Sequence, residues 1–164
     1  FTGEPEKKDW LLKNSEKIYN INTNNTIPNS ILIAIAAHES GWGESRFYNE
    51  GNNLFNLEAE GKEKFLKALE GDRKVSSHDN VEENISKMLN WIETKDHYQI
   101  VRDTIKLYNE GKATKNDIID ALDKTGFATD TEWAAKIKNT HKGRIETKEK
   151  ENLSKLYNSL FVDN

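Results

Sequence analysis

Cysteine is absent from this 164-residue chain, which excludes disulfides, thiolate zinc sites and cysteine nucleophiles together. Its absence does not identify the compartment. Proline occurs twice, at Pro5 and Pro28, and methionine once. No run of about 18 apolar residues exists, so no segment reads as a membrane span. A cationic excess is missing as well. Lys and Arg number 24 against 28 Asp and Glu, for a net charge of −4 and a pI near 5.7. Duplex nucleic acid rewards a dense Lys/Arg face, so it is excluded as a partner. Internal repeats, low-complexity tracts, linkers and phosphate-cradling glycine loops are also lacking.

What is present is a pattern of helices. Apolar residues make up 35% and charged residues 32%, with lysine interleaved among glutamates as on a solvated surface. Pro5 suits a first helical turn, and Trp10, Leu11 and Ile18 supply a face over roughly 5–20. The Asn/Thr-rich stretch 20–26 reads as a loop. Pro28 opens a second helix that is apolar on every side, which places it at the centre of the domain, with Gly41 as its stop. Asn80 with Glu83 forms a cap pair ahead of the stripe Val81, Ile85, Met88, Leu89 and Ile92. Tyr98, Val101, Ile105 and Tyr108 continue until Gly111. Thr114 with Asp117 starts a helix that Gly126 ends, and Thr129 with Glu132 is predicted to cap another bearing Trp133 and Ile137. Leu153, Leu156, Tyr157, Leu160 and Phe161 make a final stripe.

Only residues 56–79 resist a helical reading. Gly61 and Gly71 bracket a Lys/Glu-rich piece, and Arg73–Ser77 has the character of an extended segment. We therefore expect one all-α domain over 1–164, with a small lobe at about 56–79 built from a brief helix and a two-stranded ribbon.

The chemistry concentrates in Ala37-His38-Glu39-Ser40-Gly41-Trp42-Gly43-Glu44-Ser45-Arg46-Phe47, followed by Gly51-Asn52-Asn53-Leu54-Phe55. An apolar helix delivers one carboxylate to a glycine-lined, aromatic-walled place. At a helix C-terminus the negative end of the macrodipole disfavours the ionised acid, and so does burial beside a tryptophan. A glycosidase needs such an acid, still protonated near neutral pH. By these residues alone, an ordinary helix end that happens to carry Glu39 is the favoured reading. His38 lacks a second histidine four residues on, since position 42 is Trp, and His78, His97 and His141 are scattered. No metal and no organic cofactor is expected. Ser40 and Ser45 lack a nucleophile-elbow pattern.

The string around Glu39, together with Gly51–Phe55, resembles the E-S-x-W-G-x-S … N-N-L-F signature of glycoside hydrolase family 73. The wording around Ser45–Asn53 is closest to its Bax-like branch. The family's downstream motif, Y-A-T-D-x-x-Y-A-x-K-I, has a counterpart in Phe127-Ala128-Thr129-Asp130-Thr131-Glu132-Trp133-Ala134-Ala135-Lys136-Ile137. The similarity covers roughly residues 27–140. It implies an all-α, lysozyme-like helical domain with a small β-hairpin lobe, and an endo-β-N-acetylglucosaminidase that cuts peptidoglycan glycan strands. Glu39 matches the family's general acid. Trp42 and Gly43 would line the groove with Phe127 and Trp133, and Asn53 is carried over as a substrate-side residue that also suits loop stabilisation.

Three departures from the family pattern bear on mechanism. Asn56 stands where the family has glycine, and Asn tolerates left-handed backbone. Phe127 replaces a tyrosine and loses its hydroxyl. Trp133 replaces a second tyrosine and keeps an N–H donor. The resemblance also implies a second acid in the lobe, from among Glu58, Glu60, Glu63, Glu70 and Asp72. Glu70 and Asp72, 31 and 33 positions beyond Glu39, rank first by spacing. Without such a base, the substrate's acetamide could assist. Lytic transglycosylase, muramidase and a weakly active wall-binding module stay open as alternatives. An exported, periplasmic or wall-associated monomer is expected, and the start at Phe1 rather than Met fits a removed export signal as well as a trimmed product. A phage lysin of the same chemistry fits equally.

Overall fold

The computed structural model describes residues 5–146. The apolar stripe at 153–161 lies outside the described residues. Helix α1 (Pro5–Ile21) leads through a loop at 22–28 to α2 (Asn29–Glu39), so the helix runs slightly into the stretch read as a loop. Every residue of α2 from Asn29 to Ala37 is buried, as its all-round apolar sequence requires. Packed against it are α1, α7 (Trp133–Thr140) and a closing π-helical turn, His141–Glu146. Each of Ile31, Ile33 and Ile35 is at most 1% exposed. Truncating any one to alanine costs about 2–5 kcal/mol. That rigidity holds the C-terminal end of α2 in place.

The other helices wrap this core. They are α3 (Arg46–Gly51), α4 (Val81–Thr94), α5 (Gln99–Asn109) and α6 (Lys115–Lys124), with a 3-10 turn at Asp96–Tyr98 before α5. Local chemistry explains their starts. Asn80 accepts from the Glu83 amide at 2.9 Å, and Thr114 with Asp117 closes a full capping box. The α7 start differs from the expected Thr129/Glu132 pair. There the Asp130 side chain accepts from the Glu132 amide at 2.9 Å, and α7 begins one residue later. Aspartate has the shorter reach to an amide two residues on.

The lobe holds an antiparallel hairpin, β1 (Phe65–Lys67) with β2 (Lys74–Ser76), in the register Phe65↔Ser76, Leu66↔Val75, Lys67↔Lys74. No helix forms in it. The segment before β1 is a turn at Gly61 (φ +55). An amide network ties this lobe to the helices. Asn53 donates to the carbonyls of Leu57 (2.9 Å) and Ser76 (2.8 Å) and accepts from the Leu57 amide (3.0 Å). Asn84 of α4 accepts from the amides of Leu54 (2.7 Å) and Phe55 (3.2 Å), and donates to Asn53 Oδ1 (3.0 Å). Both side chains are at most 1% exposed. Two buried asparagines thus satisfy backbone that would otherwise be stranded. They set where residues 54–58 stand relative to α2.

Candidate active site

Glu39 is the last residue of α2, where the chain turns sharply. The Trp42 amide donates back to Ala37 O at 2.8 Å, and Gly41, Trp42 and Gly43 all have positive φ, at +57°, +57° and +90°. A bulky residue in this region stores about 1–3 kcal/mol of strain. Trp42 gains compensation by packing edge-on against Trp10, with centroids 5.7 Å apart and planes at 65°. Gly43 lies directly on the Trp10 indole, which a Cβ would overlap. The turn is therefore built around Trp10, and it aims Glu39 away from the core.

Glu39 faces a cavity of about 410 Å³. His38 lies beside it, Asn56, Glu58 and Arg73 of the lobe form one wall, and Phe127, Asp130 and Trp133 form the other. A second hollow of about 170 Å³ shares Asn56, Glu58, Arg73 and Phe127 and continues to Trp91, His97 and Tyr98. The two adjoin through these shared residues and run on as one depression. Trp133 Nε1 donates to Glu39 Oε1 at 3.1 Å, and the Phe127 ring tilts against Trp133 with centroids 5.3 Å apart.

Burial is the main influence on Glu39, and it raises the carboxyl above its ordinary value. The Trp133 hydrogen bond, the charges of His38 and Arg73 and the nearby Asn56 amide pull the other way, with less effect. The result is an acid that keeps its proton above the usual carboxylate range while the Trp133 N–H stands ready for its conjugate base.

Residues 15–144 match the model of the glucosaminidase family, described as mannosyl-glycoprotein endo-β-N-acetylglucosaminidase. The chain belongs to this family, glycoside hydrolase family 73. Solved structures of similar fold include a peptidoglycan hydrolase from Sphingomonas sp. A1 (22% identity, TM-score 0.69, covering 85% of this chain and 90% of that one). Another is the catalytic domain of the autolysin Auto from Listeria monocytogenes (17%, 0.64, 87% and 86%). A third is the glycoside hydrolase domain of Salmonella typhimurium FlgJ (21%, 0.62, 93% and 96%). No curated protein sequence matches the chain.

Within this glucosaminidase fold the sequence-derived residues separate. Glu39, Phe127 and Trp133 meet at the cavity. Trp133 is 1% exposed, so it offers the groove little of its face and spends its N–H on Glu39. Trp42 and Gly43 lie outside the cavity lining, against Trp10. The Asn53 amide is consumed by the loop it organises. Glu70 and Asp72 are exposed in the turn between β1 and β2, outside the lining. The lobe carboxylate that lines the cavity with Glu39 is Glu58, in ion-pair range of Arg73 at 3.4 Å. Arg73 and the cavity-facing role of Asn56 had no signal in the sequence beyond an extended reading of 73–77 and a departure from glycine. Asn56 does take the left-handed conformation, with φ +59°.

Proposed function

We propose that this domain hydrolyses the β-1,4 bond between N-acetylglucosamine and N-acetylmuramic acid in peptidoglycan glycan strands, with Glu39 as general acid. The observation that carries the reading is the Glu39 carboxyl, raised by burial at the C-terminal end of α2, bonded by Trp133 and facing a cavity of about 410 Å³. In the reaction the Glu39 proton passes to the glycosidic oxygen as the C1–O bond breaks, and a water supplies the hydroxyl at C1. Phe127 contributes an apolar wall without a hydroxyl. The second group is either a lobe carboxylate activating that water or the substrate's own acetamide. Glu58 is the lobe carboxylate already at the cavity, while Glu70 and Asp72 would have to act from the hairpin turn. Such a substrate places the enzyme at the cell wall.

The test is digestion of purified peptidoglycan, borohydride reduction and mass spectrometry. Reduced glucosamine ends support the reading. Anhydromuramic ends would indicate a lytic transglycosylase, and reduced muramic ends a muramidase. Glu39→Gln is expected to lose about 10²–10⁴ in rate while staying folded. Separate Gln or Asn variants at Glu58, Glu70 and Asp72 identify the partner by which one falls comparably. Binding to sacculi without clearing, unchanged in Glu39→Gln, would replace the enzyme reading with a wall-binding module.

A further inference from the structure

The depression at Glu39 does not end at His38. A hollow of about 510 Å³ adjoins it there and runs along α7 past Lys136, Asn139 and Thr140 to Gly143. Lys136, Asn139 and Thr140 stand three and four residues apart, so they share one face of the helix whose first residue, Trp133, holds Glu39. At Asn139 this hollow meets another of about 600 Å³, walled by Lys115 from the start of α6 and by Lys138, His141 and Lys142 from α7 and its closing turn. That wall is anchored to the core. Lys115 Nζ donates to Ser30 Oγ at 3.1 Å, and Nε2 of His141, a residue 3% exposed, lies 2.9 Å from the same oxygen. Ser30 belongs to the first turn of α2. The central helix therefore presents Glu39 at one end and, at the positive end of its dipole, holds a cationic wall.

Charge separates the two arms of the depression. On the lobe side the carboxylate of Glu58 and the guanidinium of Arg73 stand together at 3.4 Å. On the α7 side, among the described residues, no carboxylate lines either hollow. The chain as a whole carries −4, so this is a local reversal of sign. Two carboxylates answer from outside these hollows: Asp130 meets Lys136 at 2.6 Å, and Asp120 meets Lys138 at 2.7 Å. Both pairs are partly exposed, so each is worth little and gives way to a ligand's carboxylate at small cost. A neutral sugar chain has no use for such a wall. Resting on the peptidoglycan reading above, we propose that the α7 arm takes the acidic peptide stem of the muramic acid on that side of the cleaved bond. The sugar lies at Glu39, the stem follows the Lys136–Thr140 face, and its carboxylates meet Lys138 and Lys142 in the larger hollow. The arm selects substrate and sets the direction of the strand, while the chemistry stays with Glu39.

The experiment measures kcat/KM on soluble glycan strands from which acid has stripped other wall polymers. One preparation keeps its stems. In the other an amidase has removed them, leaving a single lactyl carboxylate on each muramic acid. Wild type is expected to favour the stem-bearing strands by about 3–20-fold, the worth of one or two partly exposed ion pairs, and high salt should shrink that ratio. Lys138→Gln combined with Lys142→Gln should bring the ratio close to one, chiefly through a higher KM on stem-bearing strands. Asp120→Asn removes the carboxylate that competes for Lys138 and should widen the ratio by about two- to fivefold. None of these three residues lines the Glu39 cavity, and all are at least partly exposed, so the variants should fold. Equal kcat/KM on the two strands in wild type, or a ratio unmoved by both variants, would overturn the stem site. So would a preference seen only on unstripped strands, which would assign the wall to the phosphates of another polymer. Failure to cut either strand would overturn the proposed function instead. Binding of the same two strands to Glu39→Gln, read by fluorescence anisotropy, would then still test the stem site.

Discussion

Replacing Trp133 by phenylalanine removes the indole N–H that meets Glu39 Oε1 at 3.1 Å and keeps an aromatic ring in the wall. A hydrogen bond to a charged acceptor is worth about 1.5–3 kcal/mol, and a 3.1 Å contact belongs at the low end of that range. A loss of about 1.4 kcal/mol from the ionised form alone corresponds to one pH unit. Glu39, already raised by burial, therefore climbs further, and the alkaline limb of kcat/KM moves up by about one unit. Below that limb the rate should drop up to about tenfold, because the conjugate base forming in the transition state loses the same bond. Stability falls separately. Trp133 is 1% exposed, and the volume lost with the larger ring costs about 1–3 kcal/mol. The assay is a kcat/KM profile from acid to alkaline pH on a soluble glycan fragment, with a melting curve to separate the two effects. An alkaline limb that stays put or moves down in a folded Trp133→Phe protein would refute the assignment of Glu39 as the acid tuned by this donor.

Other substitutions probe the scaffold. Gly43→Ala adds a Cβ that overlaps the Trp10 indole at a φ of +90°, and should cost about 2–4 kcal/mol by urea denaturation. Asn84→Ala strands the buried amides of Leu54 and Phe55, and should cost about 2–4 kcal/mol while loosening the lobe, read as faster hydrogen exchange at residues 53–57. His78 is pushed below its ordinary value of 6.5, first by burial and then by Lys87, against Glu63, Glu83 and Asp79. Its folded value is thus lower than its unfolded one, so the unfolded chain binds the extra proton. The associated stability is complete above pH about 6.5 and is lost as pH falls toward the folded value. Urea midpoints should decline over that window more steeply in wild type than in His78→Gln.

The helices were legible because their signals are local. Asn80 with Glu83, and Thr114 with Asp117, cap helices whose apolar stripes follow within one turn. The all-round apolar run after Pro28 could only be a central helix, and its burial from Asn29 to Ala37 follows from that composition. Glu39 was legible for the same reason, as a carboxylate ending a buried helix before a glycine turn. Where several side-chain acceptors compete for amides over a few residues, local reading fails by a position, as Asp130 shows at the start of α7.

The groove's other half was decided only by tertiary structure. Spacing favoured Glu70 and Asp72, yet the hairpin register Leu66↔Val75 sends them into the turn and returns Arg73 to stand beside Asn56 and Glu58. That register depends on Asn53 and Asn84, side chains 31 positions apart that meet only once α4 packs on the lobe. Likewise, Trp42 and Gly43 read as groove residues until Trp10, from another helix, takes them as its packing partners. Sequence alone determined which helices form and that Glu39 ends the central one, because capping and periodicity act within a few residues. Folding determined what surrounds Glu39, because burial, the Trp133 donor and the Arg73–Asn56 pair come from segments far apart in the chain.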